Sequence, residues 1–401
     1  MISKDDFLNA EFLKQFKDSK EFASFMEELY VRGTEKMLEA EIDNHLGYQK
    51  YATEGKNTGN SRNGKTSKKL KTQYGEVNLE VPRDRAGSFE PVVVPKRSNL
   101  AEGMEELVIS LYAKGMSVRD IEEQLREIYK FNLSESTISN ITAKVSEDIL
   151  EWQHKPLEAL YYIVWMDGIV FKVRHNGKVI NKTIYLAVGL NKQGMKELLG
   201  MWLAETESAA FWVGVLTDIK ARGVEDILIT CTDNLNGFTQ GIKSVFPEAV
   251  TQICVVHQIR NSSRYVVWKD KKAFAHDMKA IYNAPTREMA ATELDHFEEL
   301  WGSKYPYAIK SWRNNWEDLT AFFDFPLEIR RIIYTTNLIE NLNGKIRKYT
   351  KSKGSFPDDN SVKKAVFLSL REITKKWTQP QRDWGIILNQ FVSIYEDRCR
   401  L

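Results

Sequence analysis

The order of strand and helix signals across residues 160–255 constrains the fold of this 401-residue chain more than any other feature. The first apolar run ends at an Asp-Gly pair, and the strand pattern then continues to Asn176 and Gly177, a dipeptide typical of tight hairpin turns. Two more strand patterns follow, and strands then alternate with helices. The predicted elements are strands at 161–173, 180–188 and 197–202, a helix at 208–222, a strand at 227–232, a helix from Phe238 and a strand at 250–255.

Three antiparallel strands followed by strands that are separated by helices are typical of the ribonuclease-H-like fold. We therefore predict an α/β core of this type, formed by residues 153–263 and by C-terminal helices in residues 332–401. Between these two parts, residues 264–331 repeat apolar and aromatic residues at helical spacing and are predicted to form an all-α insertion. Such a fold places its first and fourth strands side by side.

Three carboxylates occupy positions that suit a catalytic site. Asp167 ends the first predicted apolar run, and Asp233 lies 66 positions later at the end of the fourth strand. Glu340 follows in a predicted helix. Carboxylate oxygens are preferred ligands of Mg²⁺ and Mn²⁺. We predict that the three acids bind two such ions, which would activate the attacking hydroxyl and stabilise the leaving oxygen in phosphoryl transfer.

Each acid also has an ordinary structural explanation. Asp167 with the next glycine resembles a common turn, and Asp233 could cap the helix that follows it. Spacing alone does not select Glu340. The competing glutamates are Glu205, Glu207, Glu317 and Glu328. A cationic stretch within two turns favours Glu340, because DNA phosphates could lie there. Its cations are Lys345, Arg347 and Lys348, and Asn343 lies beside them.

The first hundred residues combine helical and basic segments. Residues 1–46 repeat apolar residues at helical spacing and predict two or three short helices. Residues 47–72 are rich in glycine and lysine and predict a basic loop, either a solvated linker or an arm that contacts phosphates. An alternating strand at 77–81, with a neighbour at 92–94, predicts a small β-ribbon, so residues 47–100 form one segment.

Residues 101–152 predict a helix-turn-helix DNA-binding domain, which would place mainly helical DNA-binding segments before the core. Two helices are expected at 104–113 and 118–128, and a third should begin near Ser134. The third helix should carry its apolar residues on one face, namely Ile138, Ile141, Val145 and Ile149. Its polar residues would contact DNA, namely Ser136, Thr137, Ser139, Asn140 and Lys144. Alternatively, the helices only pack on each other and these residues act as caps.

Composition excludes some classes of protein and leaves others open. The 57 basic and 55 acidic residues give a net charge of +2, which does not decide whether nucleic acid is a partner. Three cysteines are too few for a disulfide framework and suit a reducing cytoplasm. No stretch is long and apolar enough for a membrane span, and the N-terminus lacks a secretion signal. These features predict a soluble, intracellular protein without a membrane partner.

Four motifs in the same order resemble the signatures of the Mutator-type family of bacterial insertion-sequence transposases. The motifs are Asp167-Gly168, Thr232-Asp233-Asn234 with Gly237-Phe238, Cys254-x-x-His257 with Arg260-Asn261, and Thr335-Thr336-Asn337-x-x-Glu340-x-Leu342-Asn343 with Arg347. The resemblance runs through most of the chain. It implies a catalytic triad of Asp167, Asp233 and Glu340 that uses divalent metal. It also implies that the element's ends are cut to free 3′ hydroxyls, which then attack target DNA.

The resemblance further implies partners and a location. The partners are double-stranded DNA, as terminal inverted repeats and as target, and a second copy of the chain, because two ends must be brought together in a homodimer or larger synaptic assembly. The location is the bacterial cytoplasm, at the nucleoid. Residues expected near DNA in the core are His257, Arg260, Asn337, Lys345, Arg347 and Lys348.

Two further features allow more than one interpretation. Cys254 and His257 supply two of the four ligands that a structural zinc site needs, so we expect His257 to contact a DNA phosphate, to support the acids, or only to pack. In the insertion, the resemblance suggests an aromatic residue that stabilises a displaced base. Trp312 or Trp316 could do this, although tryptophans at helical spacing usually fill a core.

Two other functions stay open. The same fold could serve a structure-selective nuclease, such as a junction resolvase, which hydrolyses DNA without joining it. The chain could also be a non-catalytic DNA-binding regulator. The long N-terminal segments argue against the nuclease, and the three acids argue against the regulator.

Overall fold

The computed structural model describes residues 9–52, 59–233, 237–334 and 336–400. Asn234 and Thr335, which belong to two of the motifs, lie outside the described residues. The chain divides into two compact units. One contains residues Met1–Tyr112 and Met116–Thr142, and the other contains Ala113–Gly115 and Ala143–Leu401. Within the described residues, no helix is long and apolar enough to cross a membrane.

The described part of the first unit begins with a four-residue helix and one long helix, where the sequence predicted two or three short ones. The helix starts after Asp18, whose side chain accepts hydrogen bonds from two backbone N–H groups, and it ends at Gly47 with a φ of 77°. The elements of this region are α1 Ala10–Leu13, α2 Ser19–Leu46, β1 Arg62–Thr72, β2 Gly75–Asp84, α3 Met104–Ala113, α4 Val118–Tyr129 and α5 Glu135–Ala143.

Two predictions about the β-ribbon are wrong. The basic segment is not a loop from Arg62 onward, because β1 pairs with β2 in an antiparallel hairpin. Residues 92–94 do not form the neighbouring strand. The backbone N–H groups of Val92 and Val93 donate to the carboxylate of Glu41 at 2.9 and 3.0 Å instead. Val94 still packs into the core between the hairpin and α2.

The helices predicted at 104–152 are present, with one difference. The second begins with a capping box in which Ser117 and Asp120 satisfy each other's backbone N–H groups. The predicted third helix is two helices, α5 and α6 Val145–His154, separated at Lys144. The four apolar residues predicted on its face are all buried. A DNA-reading role for α5 stays a prediction.

The second unit is built on a mixed five-stranded sheet. Its order is β5-β4-β3-β6-β7, in which β3, β4 and β5 are antiparallel and β6 and β7 run parallel to β3. The strands are β3 Leu160–His175, β4 Lys178–Leu190, β5 Lys196–Ala204, β6 Asp226–Thr232 and β7 Val250–Ile253. Asn176 and Gly177 both have positive φ, as the predicted turn between β3 and β4 requires.

The remaining elements of the second unit are helices, and some of them form the segment that was predicted as an insertion. Residues 264–331 are described throughout and contain helices but no strand, as predicted. The α-helices of the unit after α6 are α7 Ala209–Ala221, α8 Phe238–Val245, α9 Val255–Ser263, α10 Lys271–Asn283, α11 Arg287–Trp301, α12 Pro306–Asn314, α13 Trp316–Thr320, α14 Leu327–Ile333, α15 Asn337–Thr350, α16 Asp359–Thr374 and α17 Trp384–Tyr395. Both α15 and α16 contact β3, and α15 carries Glu340.

Candidate active site

Strand register brings Asp167 and Asp233 to neighbouring positions. In the parallel pair of β3 and β6, Trp165 lies opposite Cys231, an offset of 66 residues. The same offset separates Asp167, two residues farther along β3, from Asp233, which directly follows β6. Side chains two residues apart on a strand point to the same face. The sheet therefore presents both carboxylates together, as the sequence predicted.

Asp167 is held by the chain's own hydrogen-bond donors. Its Oδ1 accepts a hydrogen bond from the backbone N–H of Gly168 at 2.7 Å, and its Oδ2 accepts one from Nδ2 of Asn343 at 2.8 Å. Burial raises the pKa of Asp167 to about 7, and the negative charge of Asp233 acts in the same direction. Because Asn343 lies three residues after Glu340 on α15, the helix that carries the third acid also orients the first.

His257 contacts the other two acids at once. Its Nδ1 lies 2.6 Å from Oδ1 of Asp233, and its Nε2 lies 3.2 Å from Oε1 of Glu340. Burial alone would lower the pKa of His257, but the contacts with Asp233 and Cys254 raise it to about 10. The ring is therefore an imidazolium at neutral pH and balances part of the acids' negative charge.

Glu340 also pairs with a second cation. Nη1 of Arg260 donates to Oε1 at 2.6 Å and Nη2 donates to Oε2 at 3.2 Å, which is a bidentate arrangement. Both Arg260 and His257 come from α9, one helical turn apart. The site is thus a network of three acids, two cations and the amide of Asn343.

Cys254 fixes the start of α9 next to the start of α15. Its backbone N–H donates to the carbonyl of Thr232 at 2.8 Å, and its Sγ accepts hydrogen bonds from the backbone N–H and Oγ1 of Thr336 at 3.5 and 3.3 Å. Burial would raise the pKa of the thiol, but the interactions of Sγ with His257 and Thr336 lower it. The Cys-x-x-His motif therefore ties two helix starts together and aims His257 at the acids.

No group of three or more His, Cys, Asp or Glu side chains among the described residues is arranged to hold a metal ion. The types of donor nevertheless suit a hard cation, because carboxylate oxygens of three residues meet within one network. Oδ1 of Asp233 is buried and has no hydrogen-bond partner among the described residues, since its contact with His257 lacks hydrogen-bond geometry. His257 and Arg260 supply the positive charge that the acids need in this arrangement.

Comparison with known proteins assigns the chain to a family. A family model described as "Transposase, Mutator family" matches residues 1–380. The chain belongs to this family. It is similar to the transposase for insertion sequence element ISRM3 of Rhizobium meliloti, with 41% identity over 91% of both chains. It is also similar to the transposase for insertion sequence element IS905 of Lactococcus lactis, with 34% identity over 92% of this chain and 93% of that one.

A solved structure, the Drosophila P element transposase strand transfer complex, is a distant neighbour. It shares 10% identity, and the match covers 75% of this chain and 89% of that chain. The TM-score is 0.30, so this likeness carries no structural argument.

The residues predicted to contact DNA fall into three groups in this Mutator-family chain. His257 and Arg260 lie in the acid network described above. Asn337 and Lys345 line a cavity beside α15, and Arg347 and Lys348 are exposed in its last turn. The polar residues of the predicted helix-turn-helix are exposed, although Ser136 and Thr137 also contact Ser134 within hydrogen-bond distance at the start of α5.

The tryptophans predicted to stack on a base are not exposed. Trp312 is 1% exposed, so it fills the core, which was the alternative expected for tryptophans at helical spacing. Stacking on a base would require its ring to leave the core. Trp316 is half-buried at the start of α13. The exposed aromatic residues of the insertion are instead Tyr265, Trp268 and Tyr307, of which Trp268 is 88% exposed. Helical spacing in the sequence could not distinguish buried from exposed aromatic residues, because it does not show which face of a helix a neighbouring helix covers.

One residue of the site was named in the sequence without a role in the site. Asn343 belongs to the fourth motif and lies three residues after Glu340, which places both on adjacent turns of one helix, and the structure shows that it orients Asp167. Without a structure this spacing is a weak signal, because every helix contains such pairs.

Proposed function

We propose that this Mutator-family chain is the DNA transposase of an insertion sequence, which cleaves the ends of the element and transfers the freed 3′ hydroxyl to target DNA. One observation carries the assignment of the site. Asp167, Asp233 and Glu340 come from distant parts of the sequence, yet the charges of Asp233 and Glu340 both act on Asp167. His257 contacts Asp233 and Glu340, and Asn343, on the same helix as Glu340, holds Asp167. A purely structural role would not require three acids to meet.

We assign the α/β part of the chain to the ribonuclease-H-like fold. The assignment is supported by the sheet order, by three antiparallel strands that precede two parallel ones, and by acids on neighbouring central strands. The helical residues 264–331 are the insertion in this fold.

Asp167, Asp233 and Glu340 would hold the divalent metal, as two Mg²⁺ or Mn²⁺ ions. When bound, such ions activate the attacking hydroxyl and stabilise the leaving oxygen of an in-line phosphoryl transfer. The chain supplies the remaining functions. Asn343 orients the carboxylate of Asp167, and His257 with Arg260 keeps Asp233 and Glu340 from repelling each other.

The DNA partners are the terminal inverted repeats and the target duplex. We assign the reading of the repeats to exposed residues of α5, whose polar side chains suit the major groove. Because two ends take part in one reaction, the active form is a homodimer or a larger synaptic assembly. The reaction would take place in the bacterial cytoplasm, at the nucleoid.

Strand transfer tests this proposal. A labelled, pre-cleaved end oligonucleotide is incubated with plasmid and Mg²⁺ or Mn²⁺, and the joined product is measured for the wild type, Glu340→Gln and Glu328→Gln. Glu328 competed with Glu340 in the sequence, and its side chain accepts a hydrogen bond from Gln390. We expect joining by the wild type and Glu328→Gln, and a loss of at least about 100-fold for Glu340→Gln.

The other outcomes separate the remaining possibilities. Equal joining by wild type and Glu340→Gln would mean that another residue is the third catalytic acid. Hydrolysis without joining would favour a structure-selective nuclease, and end binding without either reaction would favour a regulator.

A further inference from the structure

A cavity of about 490 Å³ lies beside α15 and is lined by cations. Lys196 comes from the first residue of β5, Arg331 from α14 and Lys345 from α15. No aspartate or glutamate lines it. The cavity therefore concentrates positive charge in a concave site, which raises the local concentration of anions.

These cations form no direct ion pair within the described part of the chain. Neither Lys196 nor Lys345 has an acid beside it there. The carboxylate of Glu328, one turn before Arg331, accepts its hydrogen bond from Gln390, which lowers the pKa of Glu328, and the charge of Arg331 helps to lower it. Burial lowers the pKa of Lys196, and the nearby charge of Lys345 lowers it further. Their mutual repulsion would be relieved by an anion from outside the chain.

A second, independent observation points to a ligand. Trp165 lines the same cavity and is fully buried, yet its indole Nε1–H has no hydrogen-bond partner among the described residues. Buried N–H donors are almost always paired in folded proteins. An acceptor oxygen in the cavity would satisfy this donor.

The position of the cavity indicates where the anion comes from. Asn337, Asn341 and Lys345 recur every four residues and form one stripe of α15 that faces the cavity. Asn337 is also one turn before Glu340 and is the first residue of the helix, where the helix dipole favours anions. A DNA strand that reaches Glu340 therefore passes within a turn of the cavity.

We propose that this cavity binds a backbone phosphate of the DNA strand that enters the candidate active site. Lys196, Arg331 and Lys345 neutralise the phosphate, and Trp165 donates a hydrogen bond to one of its oxygens. The proposal rests on the proposed function, because it assumes that DNA is bound at Glu340. It assigns Lys196, Arg331 and Trp165 to DNA binding.

The first test measures the salt dependence of binding to the end oligonucleotide for the wild type, Lys196→Gln and Lys243→Gln. Lys243 is an exposed lysine of α8 that does not line the cavity. Loss of one phosphate contact should reduce the slope of log affinity against log salt by about 0.9 and weaken binding on the order of tenfold for Lys196→Gln. An unchanged slope and affinity for Lys196→Gln would overturn the proposal.

This result is distinguishable from failure of the proposed function. If the wild type joins DNA ends but Lys196→Gln binds with an unchanged slope, the cavity assignment is wrong and the function stands. If the wild type joins no ends while the slope changes, the cavity binds DNA and the catalytic function is wrong.

A second test observes the indole directly. The ¹⁵N–¹H resonance of Trp165 is assigned by its absence in Trp165→Phe and followed as the end oligonucleotide or inorganic phosphate is added. We expect the oligonucleotide to shift this resonance in the wild type, and to shift it less in Lys196→Gln. A shift with inorganic phosphate and none with DNA would show that the cavity takes a free anion and would overturn the proposal.

Discussion

Two stripes of α15 differ in how their charges are balanced. On one, Glu340 pairs with His257 and Arg260, and Asn343 holds Asp167. On the other, Lys345 faces Lys196 and Arg331 across a cavity, and in the described residues none of these cations forms an ion pair. One helix thus separates a balanced acid network from an unbalanced cationic cavity.

The difference indicates two kinds of ligand. A network that contains its own counterions stays folded without a ligand, and a divalent cation would take over part of the balance when it binds. A cavity of like charges is balanced only by an anion from outside. We infer that the acid side serves the reaction and that the cationic side serves the positioning of DNA.

The largest expected effect tests the acid side. Asp233→Asn removes a ligand charge and changes little volume, so strand transfer should fall by about 1,000-fold or more while end binding stays within about twofold. Strand-transfer and binding assays on the same preparation measure both. Asp295→Asn, in an exposed pair with Arg313, is the matched control and should keep full activity. Substantial joining by Asp233→Asn with Mg²⁺ would sink the acid assignment.

His257 tests whether the balance within the network matters. His257→Gln keeps a side chain of similar size but removes the positive charge between Asp233 and Glu340. We expect strand transfer to fall by about 10- to 100-fold with little change in end affinity, as is usual when a group that orients metal ligands is lost. If only the affinity for the DNA end fell, His257 would contact a DNA phosphate and would not serve to balance the acid network.

The sequence predicted the second unit well, because its strands are apolar runs with clear turns. It also predicted that the strands of Asp167 and Asp233 are neighbours, because the order of the strand patterns indicated the sheet, whereas the register of the two strands came from the structure. It failed for β1, whose exposed lysines conceal a strand that is held mainly by backbone pairing. The carboxylate of Glu41 accepts a hydrogen bond from the backbone N–H of Val92, 51 residues away, and no local pattern in the sequence predicts this contact.

The cationic cavity shows the same limit of sequence reasoning. Lys196, Arg331 and Lys345 come from three elements that are far apart in the chain, so no local pattern joins them. The buried state of Trp312 and the exposed state of Trp268 depend likewise on which helices pack against each other. Patterns in the sequence report local structure, whereas this site and its neighbouring cavity arise from tertiary packing.

A smaller effect is expected when one asparagine is replaced on each stripe of α15. Asn343→Ala frees Oδ2 of Asp167, so turnover should fall by roughly tenfold with unchanged end affinity, as expected for a positioning residue. Asn341→Ala, on the cavity stripe, should instead weaken end binding a few-fold and leave turnover at saturating DNA unchanged. Single-turnover rates measured across DNA concentrations separate the two. The same kinetic change in both variants would contradict the division of the helix into two stripes.

The smallest expected effect is a change in melting temperature without DNA or metal. A variant in the cationic cavity and a variant in the acid network should change it in opposite directions. Lys345→Gln removes the like charge that adds to the effect of burial in lowering the pKa of Lys196, so it should raise the melting temperature by roughly 1 °C, a gain of about 0.5 kcal/mol. Arg260→Gln breaks the bidentate pair with Glu340, and because Arg260 is more than half exposed it should lower the melting temperature by a similarly small amount. Lys243→Gln should leave it unchanged. Calorimetry in a chelating buffer measures all three, and a lower melting temperature for Lys345→Gln would mean that the charge of Lys345 is balanced within the chain.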